Sequence, residues 1–460
     1  MKPSQYNHYI PLEDDKNILY NTMSGAILIV DEDARNSIEQ IQEVEAELPQ
    51  DILNNFRQNG VVVETNEKEL LKFRDRYNTM RYDPQRLSFG LTPTARCNLS
   101  CGYCWQRIDQ SLVEKHDQVT TMSESTLEGV LLFVKQTVEA LNATNLPIFF
   151  FGGEPLMAKE LVFRILEDLA QWSEEHSVGF NTTFYTNCTL FDQSFLDRLQ
   201  KYTVNLVKTT LDGPQEIHDQ YRHYKNGEGT YEHIVTNIGM LLDAGINVEI
   251  QFNINRHYEH MPELFDDLSE RGLKQITVAG YPVYDPPIAI QEVQKTYGLL
   301  DESFPIPQSQ FAIPFKDVPE VRTQIYRWAF EKGFKLPPPD LGLLRCSAVS
   351  HYHTIIDPSG DVYKCVATML LKFMRVGRIH ENGYFEHYPF FYEWVDNDPT
   401  YVEPCQSCSL LPSCWGGCIF GRKLIGVSHV CEVSQFCGEE YIKMYLEQKY
   451  PEKLKFLKME

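Results

Sequence analysis

The sequence predicts an α/β protein built around a six-strand partial barrel, with a small α/β unit before it and a cysteine-rich segment after it. Three observations carry this expectation. Six short apolar strands alternate with helical connections between about 87 and 281; the first 85 residues hold a shorter alternation of their own; and eight of the twelve cysteines fall at or beyond position 346. With 460 residues, 43% of them hydrophobic and 12% aromatic, the chain can bury a large core and divide into several domains.

The first block, 1–85, contains the strands HYIPL, NILYN and AILIVD, helical stretches over 33–47 and 50–59, the strand VVVET and a charged helix over 66–82. Asn21 to Gly25 reads as a turn between strands, and Gly60 as the cap that ends the helix before it. The second block, 86–281, carries LSFGLT, then IFFF at 148, TTFYT at 182, VNLVKTT at 204, NVEIQFNI at 247 and QITVAGY at 275. Leu127, Val130, Leu131, Val134 and Val138 mark one apolar helix face, as a crossover helix covering a parallel sheet requires. Sites in such sheets lie at the carboxyl ends of the strands. Residues 282–345 read as a bridging segment, rich in proline and aromatics, with one helix near 317–334. From 346 onward the chain has little periodicity until a closing helix near 432–448, so bound metal is expected to supply much of its stability.

Charge and targeting narrow the function. A formal charge of −22 argues against a nucleic-acid partner and is compatible with a basic peptide. No basic region followed by an apolar secretory core opens the chain, and no run of about 18 apolar residues occurs, so a soluble, cytoplasmic protein with no membrane partner is expected. Cytosolic thiols stay reduced, which makes the cysteines candidate metal ligands or catalytic groups.

Directly after the first barrel strand stands Cys97-Asn98-Leu99-Ser100-Cys101-Gly102-Tyr103-Cys104. Three thiolates on one loop leave a four-iron cubane with one iron open to another ligand. On spacing alone a zinc knot is the alternative. The later strand ends add Gly152-Gly153-Glu154-Pro155, Thr186-Asn187, Thr210-Leu211-Asp212-Gly213-Pro214 and His218-Asp219-Gln220-Tyr221-Arg222. Together these resemble the radical S-adenosylmethionine (SAM) superfamily. The resemblance implies a 4Fe-4S cluster on Cys97, Cys101 and Cys104 whose open iron chelates S-adenosyl-L-methionine and cleaves it to a 5′-deoxyadenosyl radical. It places the cofactor against Tyr103, against Gly152, Gly153, Glu154 and Pro155 at its amino group, and against Thr186. Thr210 stands where the family usually has serine at the ribose, and Arg222 is expected at the cofactor carboxylate, a task that suits a guanidinium. His218 and Asp219 read as local capping groups. Cys188, where many relatives have glycine, reads as a small packed residue.

The late cysteines follow the spacing Cys346-x13-Gly360-x4-Cys365, then Cys405-x2-Cys408-x5-Cys414-x3-Cys418, then Cys431 and Cys437. This resembles the SPASM domain of peptide-modifying radical SAM enzymes, here 346–460. It implies two auxiliary 4Fe-4S clusters, three clusters in all: Cys346, Cys365 and Cys418 for the first, and Cys405, Cys408, Cys414 and a late cysteine for the second. Cys431 is favoured as that ligand, with Cys437 left as ligand, spare thiol or catalytic group. Some relatives keep an open iron on the first auxiliary cluster. A pair of zinc sites in an interaction module is the alternative from the residues alone.

The SPASM resemblance implies a peptide or protein substrate. One reading is a maturase of ribosomally synthesised peptides (RiPPs), installing a crosslink, a thioether foremost and a carbon-carbon bond otherwise. The other is an anaerobic sulfatase maturase that makes formylglycine. The first is favoured because 85 residues precede the barrel and because Val366 follows Cys365, where sulfatase maturases usually carry an aspartate base. Residues 1–85 resemble the PqqD-like, winged-helix element that binds a precursor's leader peptide, with a dimerisation or lid domain as the alternative. The expected partners are a precursor peptide with its leader and a flavodoxin- or ferredoxin-type reductant. A non-catalytic iron-sulfur carrier is disfavoured because it needs neither GGEP nor TLDGP, and no acid or base residue is assigned.

Overall fold

The structure, a computed structural model, describes residues 1–12, 15–45, 47–65, 67–104, 106, 119–283, 311–314, 317–338, 346–369, 371–425 and 439–451. Contacts divide the chain into two compact units, each made of segments distant in sequence. The first comprises Met1–Tyr82, Pro338–Val349 and Asn397–Glu460, and the second Asp83–Pro337 and Ser350–Asp396. The expected consecutive blocks are therefore interleaved, and 346–460 is shared between the two units.

In the first unit β1 (Lys2–Pro3) is followed by β2 (Asn7–Pro11), β3 (Lys16–Asn21) and β4 (Ile27–Asp31), then α1 (Glu32–Glu39), α2 (Ile41–Val44), α3 (Gln50–Gln58), β5 (Val62–Val63) and α4 (Glu69–Arg81). β2, β3 and β4 form an antiparallel sheet, and β1 pairs with β5. Asp31 starts α1 by accepting the Ala34 N–H at 2.8 Å. Gly60, with φ of +70°, ends α3 as its position after the helix predicts. β3 reads NIL-Y-N without alternation because both of its faces are covered. Leu19 packs with Ile38, Ile41, Leu53 and Phe56 on one side. Ile18 and Tyr20 pack with Ile10 and with Ile442 and Leu446 of the helix Glu439–Lys449 on the other. The last helix thus completes the core of the first sheet. Further ties join the same distant segments: Thr22 Oγ1 donates to the Ser409 carbonyl at 2.5 Å, and Tyr77 to that of Asn397 at 2.6 Å.

The second unit holds the barrel strands β6 (Ser88–Leu91), β7 (Asn145–Phe150), β8 (Gly179–Tyr185), β9 (Val204–Thr210), β10 (Val248–Ile254) and β11 (Thr277–Pro282). All adjacent pairs are parallel and the order follows the sequence. Between them run α5 (Glu124–Ala140), α6 (Lys159–Glu175), α7 (Gln193–Leu199), α8 (Gln215–Tyr221), α9 (Tyr231–Asp243) and α10 (Met261–Glu270). Consecutive parallel strands with right-handed crossovers put every connecting helix on one face. Alternate residues such as Ile148, Phe150, Phe184, Val207, Ile250 and Phe252 are buried on that face. Their neighbours, including Phe149, Tyr185, Lys208, Thr210 and Glu249, share the inner face. The bridging helix spans Val318–Glu331.

β12 (His353–Ile356) adds in parallel beside β6, and β13 (Asp361–Tyr363), β14 (Gly377–Ile379) and β15 (Phe385–His387) continue antiparallel, making a ten-stranded sheet. The four residues of β12 are all buried, so this strand seals what is otherwise an open sheet edge. Sequence reasoning grouped these strands with the late cysteines; their backbone pairing places them with the barrel. Among the described residues no helix is long and apolar enough to cross a membrane.

Candidate functional site

The cysteine loop is clamped from two sides by backbone. On one side the Gly153 N–H donates to the Thr94 carbonyl at 3.2 Å and the Glu154 N–H to that of Arg96 at 2.8 Å. A Cβ on Gly152 would lie 2.4 Å from the Thr94 oxygen, and one on Gly153 2.4 Å from those of Ala95 and Arg96. The paired glycines therefore let the end of β7 touch the lead-in to the cysteines. On the other side Ser100 N–H donates to the His223 carbonyl at 2.8 Å and Gly102 N–H to that of Tyr221 at 3.0 Å. The Cys97 sulfur accepts from Leu99 N–H at 3.4 Å. Cys101 is buried, and Cys97 and Cys104 are partly exposed.

Glu154 is fully buried and ties the strand ends together. Its carboxylate accepts from Leu156 N–H at 3.0 Å, Thr186 Oγ1 at 2.8 Å and Asn187 N–H at 2.7 Å. Burial pushes its carboxyl up to about 7 against the pull of those three donors. Glu154 and Thr186, both expected at the cofactor, thus hold each other. Pro155 opens the short turn that follows.

Arg222 follows α8 and reaches back to the loop. Its Nη1 donates to the Tyr103 hydroxyl at 2.7 Å, Tyr103 donates to Asp212, and Asp212 Oδ1 accepts from Asn253 N–H at 3.0 Å and Asn253 Nδ2 at 2.9 Å. Tyr103 stacks on Phe311, with ring centroids 4.5 Å apart. Burial opposes the Arg222 charge, but Cys101, Tyr103 and Asp212 together hold its pKa above the ordinary value. Its Nε is buried with no hydrogen-bond partner. A buried guanidinium with an uncommitted N–H, beside a loop of three cysteines, fits an incoming carboxylate. Thr210 stands at the carboxyl end of β9, opposite Gln251.

The expected capping role holds for Asp219 and not for His218. His218 Nδ1 accepts from Asp212 N–H at 3.4 Å and its Nε2 meets Thr230 Oγ1 at 3.1 Å. Burial, with Arg222 nearby, holds it neutral. Asp219 accepts from the N–H groups of Thr230 and Tyr231 at 2.7 and 2.9 Å, capping α9. Cys188 is fully buried with φ of +63°, a conformation glycine adopts without cost. Sequence reasoning missed Phe311 and Asn253. Neither belongs to a motif, and only the fold brings them to Tyr103 and Asp212.

Of the late cysteines, Cys405, Cys408, Cys414 and Cys418 lie in the first unit on a tightly folded run, with Cys405 and Cys414 buried. Cys408 N–H donates to the Cys405 carbonyl at 3.1 Å, and Gly421 N–H to the Cys418 sulfur at 3.4 Å. Trp415, Gly416 and Gly417 all have positive φ, which reverses the chain between Cys414 and Cys418. Cys346 is in the first unit and Cys365 in the second. Cys431 and Cys437 lie outside the described residues. Among the described residues no three of His, Cys, Asp and Glu are arranged to hold a single metal ion.

Residues 91–268 match the Radical SAM superfamily. This stretch is a radical SAM domain. The family implies S-adenosylmethionine and a 4Fe-4S cluster as its cofactors. The chain is 22% identical over 275 residues to the radical SAM cyclopropyl synthase TigE of Paramaledivibacter caminithermalis, a match covering 54% of this chain and 56% of that protein. It is 23% identical to a cysteine-type anaerobic sulfatase-maturating enzyme of Clostridium novyi, over 71% of this chain and 85% of that one. It is 22% identical to the PqqA peptide cyclase of Granulibacter bethesdensis, over 71% and 80%. The fold is similar to that of native anSMEcpe with bound AdoMet and Cp18Cys peptide, with a TM-score of 0.56 at 19% identity, covering 81% and 99% of the two chains. Proteins similar to this chain thus include a radical SAM cyclopropyl synthase, a peptide cyclase and a sulfatase-maturating enzyme, and the chain spans about half the length of the first of these.

Proposed function

We propose that the protein matures a ribosomally made peptide, abstracting a hydrogen atom from it and closing a crosslink, most simply a thioether. In this reading Cys97, Cys101 and Cys104 hold the catalytic 4Fe-4S cluster. When bound, cluster and S-adenosylmethionine supply a 5′-deoxyadenosyl radical. Arg222 receives the cofactor carboxylate on its uncommitted Nε, which is the observation that carries the assignment. Tyr103 and Asp212 fix the Arg222 guanidinium from behind, Glu154 braces the strand ends, and Thr210 faces the ribose. The late cysteines carry two auxiliary clusters, with Cys405, Cys408 and Cys414 on one of them and Cys431 or Cys437 closing it. A flavodoxin- or ferredoxin-type protein supplies the electron. The three-stranded sheet of the first unit, PqqD-like in pattern, receives the leader as an added strand, where backbone hydrogen bonds give affinity and side-chain pockets give selectivity.

The second reading, formylglycine formation, is favoured by the extent of the match to the C. novyi sulfatase-maturating enzyme. Anaerobic reconstitution with iron and sulfide tests the cofactor assignment: about twelve irons per chain are expected for three cubanes. With S-adenosylmethionine and a reductant, 5′-deoxyadenosine should form, and Cys101→Ala should abolish it. Zinc in place of iron, or cleavage by the variant, would overturn the assignment. The product separates the two readings. A crosslinked peptide is lighter by two hydrogens and keeps its sulfur, whereas formylglycine made from cysteine loses two hydrogens and also has its sulfur replaced by oxygen.

A further inference from the structure

Beneath the Thr210 layer, a polar row crosses three barrel strands on the inner face. Tyr185 of β8, Lys208 of β9 and Glu249 of β10 are opposite one another in the sheet register. Lys208 Nζ lies 2.9 Å from Glu249 Oε1, and the two side chains are only 17% and 12% exposed. Tyr185 shares a hydrogen bond with Lys208 and is walled by Phe149 and Phe151, with centroids at 5.7 and 5.8 Å. Lys208 is two residues before Thr210, so the row lies roughly 6.6 Å deeper in the barrel than the layer assigned to the ribose.

The hydrogen bonds of this row leave specific atoms over. Gln251 Nε2 donates to Glu249 Oε1 at 3.3 Å, which fixes the amide orientation and leaves Gln251 Oε1 as an acceptor. Among the described residues Glu249 Oε2 accepts no hydrogen bond. Two oxygens on adjacent inner positions of β10 are therefore uncommitted, and both only accept. A group that satisfies them must donate. Lys208 already balances the Glu249 charge, so a substrate guanidinium or ammonium would add an unpaired positive charge to a half-buried site, while a neutral N–H would not.

We infer that Lys208 and Glu249 form an amide-binding station in the barrel, in which Glu249 Oε2 and Gln251 Oε1 accept N–H groups of the substrate peptide and hold its reacting residue beneath the cofactor. This deepens the peptide-maturase reading and rests on it. Lys208 acts as a positioning residue: it fixes the carboxylate and keeps the station near neutral, so that amides are selected over cations. The arrangement fits a peptide backbone or a carboxamide side chain, and it excludes an ester at the same position, which has no hydrogen to give.

The test uses the reconstituted full-length protein with S-adenosylmethionine bound. Two probes are compared by saturation-transfer NMR: a blocked trialanine amide, and its analogue with an ester oxygen replacing the central amide N–H. The wild-type protein should prefer the amide by roughly tenfold, the worth of one to two hydrogen bonds. Lys208→Glu/Glu249→Lys retains an ion pair but reverses its geometry. It should melt close to wild type and lose the preference, whereas a purely structural pair would retain it. Lys208→Met/Glu249→Met gives the same reading if the swapped protein does not fold, because well-packed apolar residues often replace a buried pair at little cost. Equal binding of both probes by wild type, or an unchanged preference in the variants, overturns the inference. Deoxyadenosine formation by the wild-type protein, measured in parallel, reports on the radical SAM reading separately.

Discussion

Replacing Trp415 tests how the two ends of the chain are held together in the first unit. The indole is 2% exposed and meets Tyr77 edge-on at 5.0 Å and Phe73 at 6.3 Å, both from α4. Its Nε1 donates to the Pro412 carbonyl at 2.6 Å. Trp415→Ala removes this packing and leaves a cavity, at a cost of about 3–5 kcal/mol. For a unit of this size each kcal/mol lowers the melting temperature by about 2–4 °C, so a fall of roughly 6–20 °C is expected. Trp415 also has φ of +56°, in the left-handed region. Alanine retains that strain and glycine does not, so Trp415→Gly should be milder than Trp415→Ala by about 1 kcal/mol, although it removes one atom more. Because Cys414 and Cys418 flank the turn, both variants should also hold less iron than wild type after reconstitution. The assay is the melting temperature at a fixed scan rate, with iron counted on the same samples. A Trp415→Ala protein that melts with wild type and binds full iron would refute the packing account, and a glycine variant weaker than the alanine variant would refute the backbone account.

Two further outcomes follow from the barrel unit. At Cys188, where φ is +63° in a fully buried site, Cys188→Gly should be near neutral, since relief of strain offsets lost packing, whereas Cys188→Val should cost about 2 kcal/mol or more; denaturant midpoints decide between them. For Glu154, burial raises the carboxyl from 4.5 unfolded to about 7 folded, so its protonated form favours the fold. That contribution is fully present below pH 4.5 and is lost as pH rises to about 7, a change on the order of 3 kcal/mol. Glu154→Gln cannot titrate, so the stability of wild type relative to this variant should fall by that amount across the window. A pH-independent difference between them would show that Glu154 is ionised throughout.

Point substitutions are the right probes of the N-terminal sheet, because deleting it also strips the C-terminal helix of its partner. Ile442 and Leu446 bury against Ile10, Ile18 and Tyr20, and the Tyr20 hydroxyl meets Ser413 Oγ at 2.8 Å. Leader binding is therefore better tested at an exposed edge position such as Ile29, which is 42% exposed on β4. An edge proline at that position blocks an added strand, and peptide binding measured on the intact protein should weaken with it.

The sequence by itself determined the local elements and the three-cysteine spacing of the first loop. Period-two and period-3.6 patterns follow from backbone geometry, so β6 to β11, α1 and the bridging helix could be read without a fold. The spacing of Cys97, Cys101 and Cys104 was legible for the same reason, since it depends on residues a few positions apart, whereas the close approach of Gly152 and Gly153 to Thr94, Ala95 and Arg96 and the cap that Asp219 puts on α9 are made by the fold. Only the tertiary structure decided which elements become neighbours. Nothing in HTII announces that β12 will pair with β6, more than 260 residues earlier, because an apolar strand encodes its need for a cover and not the identity of that cover. The same holds for the C-terminal helix on β3, for Phe311 on Tyr103, and for the Tyr185, Lys208 and Glu249 row. Each residue of that row looks unremarkable in its own strand. The three become a site because parallel pairing sets them side by side on the face that the helices leave uncovered.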